Sequence, residues 1–209
     1  MTPSHRICAA AGIILLTLFS GAFGQQAAKI SPETLAAYVK NTWKAPAEGW
    51  QARVDQDETQ RICSETRNSP GKTDFEKIQA REVASILYPA DDKVLGDWKA
   101  GETVAQIGTG GQFSDKADGP RGGNCYACHQ MAVKELSYGT LGPSLLEYGK
   151  IRKYAAADAK AAYAKIYNAQ SVLPCSNMPR FGHNKFLSEQ QIKDVTAYLF
   201  DPESPVNKP

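Results

Sequence analysis

A short run, Cys125-Tyr126-Ala127-Cys128-His129, narrows what this chain is able to become. Two thiols three positions apart, followed at once by an imidazole, form the pattern for covalent attachment of haem c. Each thiol adds across one porphyrin vinyl group, so the cysteines sit as far apart as the vinyls. The histidine directly after the second thiol then lies below the ring plane and ligates the iron. The run therefore calls for one haem c, covalently bound through Cys125 and Cys128, with His129 as proximal axial ligand. Two other readings share the thiols: a thioredoxin-like redox pair, and a zinc site that recruits Cys175 and His183. Only the haem reading requires the adjacent histidine.

The N-terminus points to export. His5 and Arg6 precede an apolar run from Ile7 to Phe19, and Ala22-Phe23-Gly24 supplies small residues for cleavage after Gly24. Residues 1–24 thus read as a signal peptide, the alternative being an uncleaved anchor, and the mature chain is expected in the periplasm. Cys8 lies at the head of the apolar run rather than after it, is not placed for lipid anchoring, and leaves with the signal. No later stretch reaches the ~20 apolar residues of a membrane span. A formal charge of +2, without blocks of like sign, excludes a nucleic-acid surface or a polybasic membrane patch. Of five cysteines, Cys8 leaves with the signal and the haem takes two. Cys63 and Cys175 remain, an even number in an oxidising compartment, and are predicted to form a disulfide. Closing a loop of roughly a hundred residues is worth roughly 4–5 kcal/mol in the chain-entropy model. A sharper reading leaves Cys175 a reactive thiol near the haem.

Along the mature chain, Ser31-Pro32-Glu33 starts a helix running to about Lys40, with a hydroxyl cap, a proline in the first turn and an acid at the positive dipole end. Residues 41–70 read mostly as loop, with a short helix around Cys63 and a turn at Asn68-Ser69-Pro70-Gly71. Thr73 and Glu76 form a capping-box pattern for a second helix, whose stripe of Phe75, Ile78, Val83, Ile86 and Leu87 ends at Pro89. A further amphipathic helix starts near Trp98 and ends at Gly108-Thr109-Gly110-Gly111. Tyr154 to Ala169 is helical, with Tyr163, Ile166 and Tyr167 as packing residues. Ser188 and Gln191 cap a last helix carrying Ile192, Val195, Tyr198 and Leu199, expected to cross the one near Trp98.

Beyond the haem motif, Gly139-Thr140-Leu141-Gly142-Pro143-Ser144-Leu145 suits a loop against the proximal side. A ligating histidine donates its second N–H to a carbonyl or carboxylate. The Pro143 carbonyl is the candidate acceptor, with simple turn chemistry as the alternative. The second axial position has three candidates. Met131 is too close to His129 to reach the opposite face. Met178, held extended by Pro179 on a loop between two helices, is favoured over His183, which reads as a surface residue. A thioether raises the potential and suits an electron acceptor. Arg180 either pairs with a haem propionate or is an ordinary surface arginine. No catalytic residue is assigned.

The expected fold is all-α: a class I cytochrome c-like haem domain over residues 96–209, preceded by a mostly helical and loop extension over 25–95. On Gly122 to Gln130, Gly139 to Leu145, Cys175 to His183 and the tail Leu199 to Asn207, the chain resembles the SoxX family, the monohaem subunits of the SoxAX cytochromes of sulfur-oxidising bacteria. It departs from small cytochromes c in the long spacer between Phe113 and Cys125. The resemblance implies a heterodimer with a SoxA-type subunit carrying the catalytic haem. That complex, an L-cysteine S-thiosulfotransferase, couples thiosulfate to a cysteine of a SoxYZ-type carrier. This chain would take the electrons and pass them to a small cytochrome c. A free-standing periplasmic carrier is the alternative.

Overall fold

Ser31 starts the first helix as its hydroxyl predicts: its oxygen accepts the Thr34 N–H at 3.2 Å, and α1 follows over Pro32–Thr42. The computed structural model describes residues 30–43, 54–112, 115 and 119–208, so the signal peptide expected over 1–24, with Cys8, lies outside the described residues. The chain divides into two compact units, residues 1–44 and 45–209. In the first, α1 buries no residue.

The second unit carries six helices among the described residues, α2 (Glu58–Glu65), α3 (Lys72–Ala84), α4 (Trp98–Gln106), α5 (Tyr148–Ile151), α6 (Ala156–Tyr167) and α7 (Glu189–Phe200), with no strand. The division expected between 95 and 96 does not mark a break in packing. Residues 54–95 belong to the same unit as the haem motif.

Two of these helices set the frame. Ser188 and Gln191 cap α7 reciprocally, as expected. Asp97 caps α4, its carboxylate accepting the Lys99 N–H at 2.9 Å. The two helices cross with their backbones nearly touching, because Gly101 faces α7. A Cβ there would lie 2.0 Å from the Asp194 carbonyl oxygen. At the rim of the crossing the Asp97 N–H donates to Asp194 Oδ1 at 2.9 Å, and the Gly96 N–H donates to the Lys193 carbonyl at 3.0 Å. Tyr163, Tyr198, Ile192 and Met131 fill the core around it.

Both limits of α3 differ from those read in the sequence. Thr73 does not cap α3. The Gly71 carbonyl already accepts the Phe75 N–H at 2.9 Å, so the helix starts at Lys72, directly after the turn, and the Thr73 hydroxyl comes too late to cap it. At the other end α3 stops at Ala84, short of Pro89. The Ser85 hydroxyl donates to the Glu82 carbonyl at 2.7 Å, and the Leu87 carbonyl is used by the Tyr163 hydroxyl at 3.2 Å. Of the expected stripe only Ile78 is fully buried, while Val83 and Leu87 are exposed.

The short helix around Cys63 exists as α2, with a capping box of Asp57 and Gln60. Its contacts are polar as well as apolar. Buried Glu82 of α3 accepts hydrogen bonds from the Thr59 hydroxyl and, at 2.7 Å, from Asn168 Nδ2. Arg180, also buried, reaches Asp57 at 2.5 Å and Glu82 at 3.4 Å. Burial by itself would raise the Glu82 carboxyl. The bonds from Thr59 and Asn168, with the Arg180 cation, hold it below the ordinary 4.5. The same balance of burial against Gln60 and Arg180 holds Asp57 below its usual range.

Two predictions follow from these contacts. Gly101→Ala forces α4 and α7 apart and should cost about 1–3 kcal/mol, as overpacking does, read as a lowered denaturant midpoint. A carboxyl depressed in the folded state stabilises above its unfolded value, and that stability is lost as pH falls through the folded value. Thermal stability should therefore drop below pH 4.5. In Glu82→Gln the slope of Tm against pH in that range should be shallower, on a lower baseline.

Candidate functional site

The haem motif hangs from the end of α4. The Gly123 N–H donates to the Val104 carbonyl at 2.7 Å and the Asn124 N–H to the Ile107 carbonyl at 3.0 Å, which lays residues 122–124 along the helix end. Asn124 then takes a left-handed conformation, φ 45°, and turns the chain into a 3₁₀ turn over Cys125–Ala127. Such a turn has three residues per revolution, so side chains at i and i+3 eclipse. Cys125 opens that turn and Cys128 follows it directly, so the two thiols stand about one turn apart. The amides of Cys128 and His129 both donate to the Cys125 carbonyl, at 3.1 and 2.9 Å. Tyr126 points the other way, into the core, where its hydroxyl meets that of Tyr198 on α7 at 2.6 Å.

The loop at 139–145 is laced onto this turn. The Gly139 N–H donates to the Tyr126 carbonyl, the Gly142 N–H to the Cys128 carbonyl, both at 2.8 Å, and the Leu145 N–H to the Gln130 carbonyl at 2.7 Å. His129 Nδ1 lies 2.7 Å from the Pro143 carbonyl. A carbonyl only accepts, so Nδ1 carries the proton and Nε2 keeps its lone pair. Gly142 backs the imidazole so closely that a Cβ would stand 2.2 Å from His129 Cε1. The ring is thus fixed in tautomer and in position.

Met178 is half-buried on a loop that follows the 3₁₀ turn Ala169–Ser171, and it packs against the same core cluster as Cys125. A cleft of about 890 Å³ has Gly122, Gly123 and Asn124 on one border and Pro179, Arg180 and Phe181 on another. The stretch preceding Cys125 and the stretch following Met178 therefore line one space. Met131, by contrast, is buried in the core. His183 is not a surface residue. It is half-buried and lines the cleft, and burial with the neighbouring Arg180 cation depresses its pKa. Arg180 fits neither reading made from the sequence, because its guanidinium is buried against Asp57 and Glu82.

Cys63 and Cys175 are joined in a disulfide, which removes Cys175 both as a free thiol and as a zinc ligand. Among the described residues no group of three or more His, Cys, Asp or Glu is arranged to hold a metal ion. Burial pushes the Cys125 thiol up to about 12, the opposite of the low value that a thioredoxin-like pair needs. What remains fits haem c: two thiols about one turn apart, a histidine whose Nδ1 is held by a carbonyl, and a glycine leaving the imidazole room. No helix among the described residues is long and apolar enough to cross a membrane. Sequence reading missed Gly101 and the partners of Arg180. The Asp57-Gln60 capping box had a local signal that was overlooked.

Comparison with known proteins places a cytochrome c domain over this part of the chain. Residues 109–201 match the cytochrome c family, so the chain carries a cytochrome c domain, all-α and of the class I kind. The chain is also 37% identical over 201 residues to an uncharacterized lipoprotein of Aquifex aeolicus (strain VF5), covering 95% of this chain and 94% of that protein. It belongs to the same family as that protein.

Gly142→Val should push the His129 ring aside. The haem mass should remain attached, since both thiols are intact, while the visible spectrum shifts toward a weakly ligated iron. Cys125→Ala/Cys128→Ala should lose the haem mass altogether, read by mass spectrometry of the denatured chain.

Proposed function

We propose that this chain is the electron-accepting monohaem subunit of a SoxAX-type thiosulfate-oxidising complex, exported to the periplasm. The observation that carries the haem reading is the His129 Nδ1 bond to the Pro143 carbonyl, which leaves Nε2 to ligate. Cys125 and Cys128 would hold one haem c covalently, with His129 and Met178 as the side chains that would bind its iron. Haem c, when bound, supplies a one-electron couple. If His129 and Met178 both bound the iron, no position would remain for oxygen or a small substrate, and the chain's own part would be electron transfer.

The thiosulfate role is supported by the resemblance of Gly139 to Leu145, Cys175 to His183 and Leu199 to Asn207 to the SoxX family. In that reading the sulfane sulfur of thiosulfate bonds to a cysteine sulfur of a SoxYZ-type carrier. The thiol proton is released, and two electrons leave through the SoxA-type partner, then this chain, to a small cytochrome c. Exposed apolar residues beside the motif support a docked partner: Leu136 and Leu141 are 98% and 72% exposed. The export expectation agrees with the name of the Aquifex relative, a lipoprotein.

The native protein should co-elute with a second haem-bearing subunit, and the pair should be reduced by thiosulfate only when carrier protein is present. Elution as a monomer that thiosulfate and carrier leave oxidised would favour the free-standing carrier instead. In either case the oxidised spectrum should carry a far-red thioether-to-iron band that Met178→Ala abolishes.

A further inference from the structure

The loop bearing Met178 is tied down on both sides by the segment that precedes the haem domain. On its N-terminal side Cys175 is bonded to Cys63 of α2. On its C-terminal side Arg180 reaches Asp57, the cap of that same helix, at 2.5 Å, and Glu82 of α3 at 3.4 Å. Only Ser176, Asn177, Met178 and Pro179 lie between the two anchors. Inside the loop the Ser176 hydroxyl oxygen accepts the Met178 N–H at 3.2 Å, and the Ser176 carbonyl accepts from Gln170 Nε2 at 3.3 Å. Behind it the amides of Gly182 and His183 both donate to the Tyr167 carbonyl.

These anchors are not part of the core that Met178 packs on. Cys63 and Cys175 sit with Ile62 and Ile78 in a second, smaller cluster. A buried arginine–carboxylate pair adds little net stability over apolar side chains of the same volume. What its planar fork does add is a fixed geometry. Glu82 is itself oriented by Thr59 and Asn168, so the guanidinium has little freedom to turn. Cys175 also stands in a left-handed conformation, φ 61°, unusual for a residue with a side chain. The Gln170 side-chain carbonyl accepts its N–H.

We infer that α2 and α3 are a positioning device for the distal ligand. Cys63, Asp57 and Glu82, acting through Cys175 and Arg180, hold residues 175–180 so that the Met178 thioether stays toward the haem iron. The segment before Gly96 thus serves the haem site directly. This inference rests on Met178 being the axial ligand, and the test separates the two.

The experiment uses the full-length holoprotein and two variants, Cys63→Ser/Cys175→Ser and Asp57→Asn. The second keeps the cap of α2, since asparagine caps as well as aspartate, and removes only the charge facing Arg180. Helix content by circular dichroism checks that each is folded. The readouts are the far-red band of the oxidised protein and the affinity of its iron for added imidazole. Outer partners of a metal ligand typically change affinity by about 10–100-fold, and imidazole binding should tighten by about that much in both variants as the band weakens. Should the paired-serine protein fail to fold, Asp57→Asn decides alone. Wild-type band and affinity in the folded variants, with both changed in Met178→Ala, would overturn the positioning role and leave the axial ligand standing. A Met178→Ala protein indistinguishable from wild type would sink the ligand assignment and this inference with it.

Discussion

Gly101 allows α4 and α7 to approach until their backbones meet, and the haem motif takes its position from that crossing. Residues 122–124 hydrogen-bond to the last carbonyls of α4. Tyr126, in the middle of the motif, is tied to Tyr198 on α7. The two thiols and the imidazole are therefore placed against both helices at once. A side chain at Gly101 would move one of these reference points relative to the other. Asp194 strengthens the arrangement from the α7 side, since its carboxylate accepts from the Asp97 amide and from Gln190 Nε2 at 2.7 Å.

The two sides of the haem site are built by different physics. The proximal side is local. His129, Pro143 and Gly142 lie within a short span of chain and are joined by backbone hydrogen bonds, so orientation follows from turn chemistry. The side bearing Met178 depends on distant residues. Its loop is fixed by a covalent bond across 112 positions and by an ion pair across 123. Charge enters there as geometry more than as stability. Arg180 is balanced by two carboxylates and is spent on holding a shape.

This division explains what the sequence allowed to be read. The covalent haem pattern and the caps at Ser31 and Ser188 rest on side chains a few residues apart, and the acceptor at Pro143 is a backbone carbonyl 14 residues beyond His129. The cap assigned to Thr73 failed for the same kind of reason that others succeeded. The competing cap, Gly71, lay two residues away, and local chemistry alone did not choose between them. α3 ends at Ala84, short of Pro89, and beyond that end the Leu87 carbonyl accepts from the Tyr163 hydroxyl of α6, a partner no local pattern marks.

The pairing of Cys63 with Cys175 followed from cysteine arithmetic, although its place beside Met178 did not. By itself the sequence determined the cofactor class and the helical character, because covalent haem chemistry demands particular side chains at fixed spacing. The tertiary structure alone decided that residues 54–95 pack in one compact unit with the haem motif. It alone decided that Arg180 is buried against Asp57 and Glu82, and that Gly101 is the crossing point. Those outcomes depend on which distant surfaces meet, and a carboxylate or a glycine carries no mark of the partner it will face once the chain has closed.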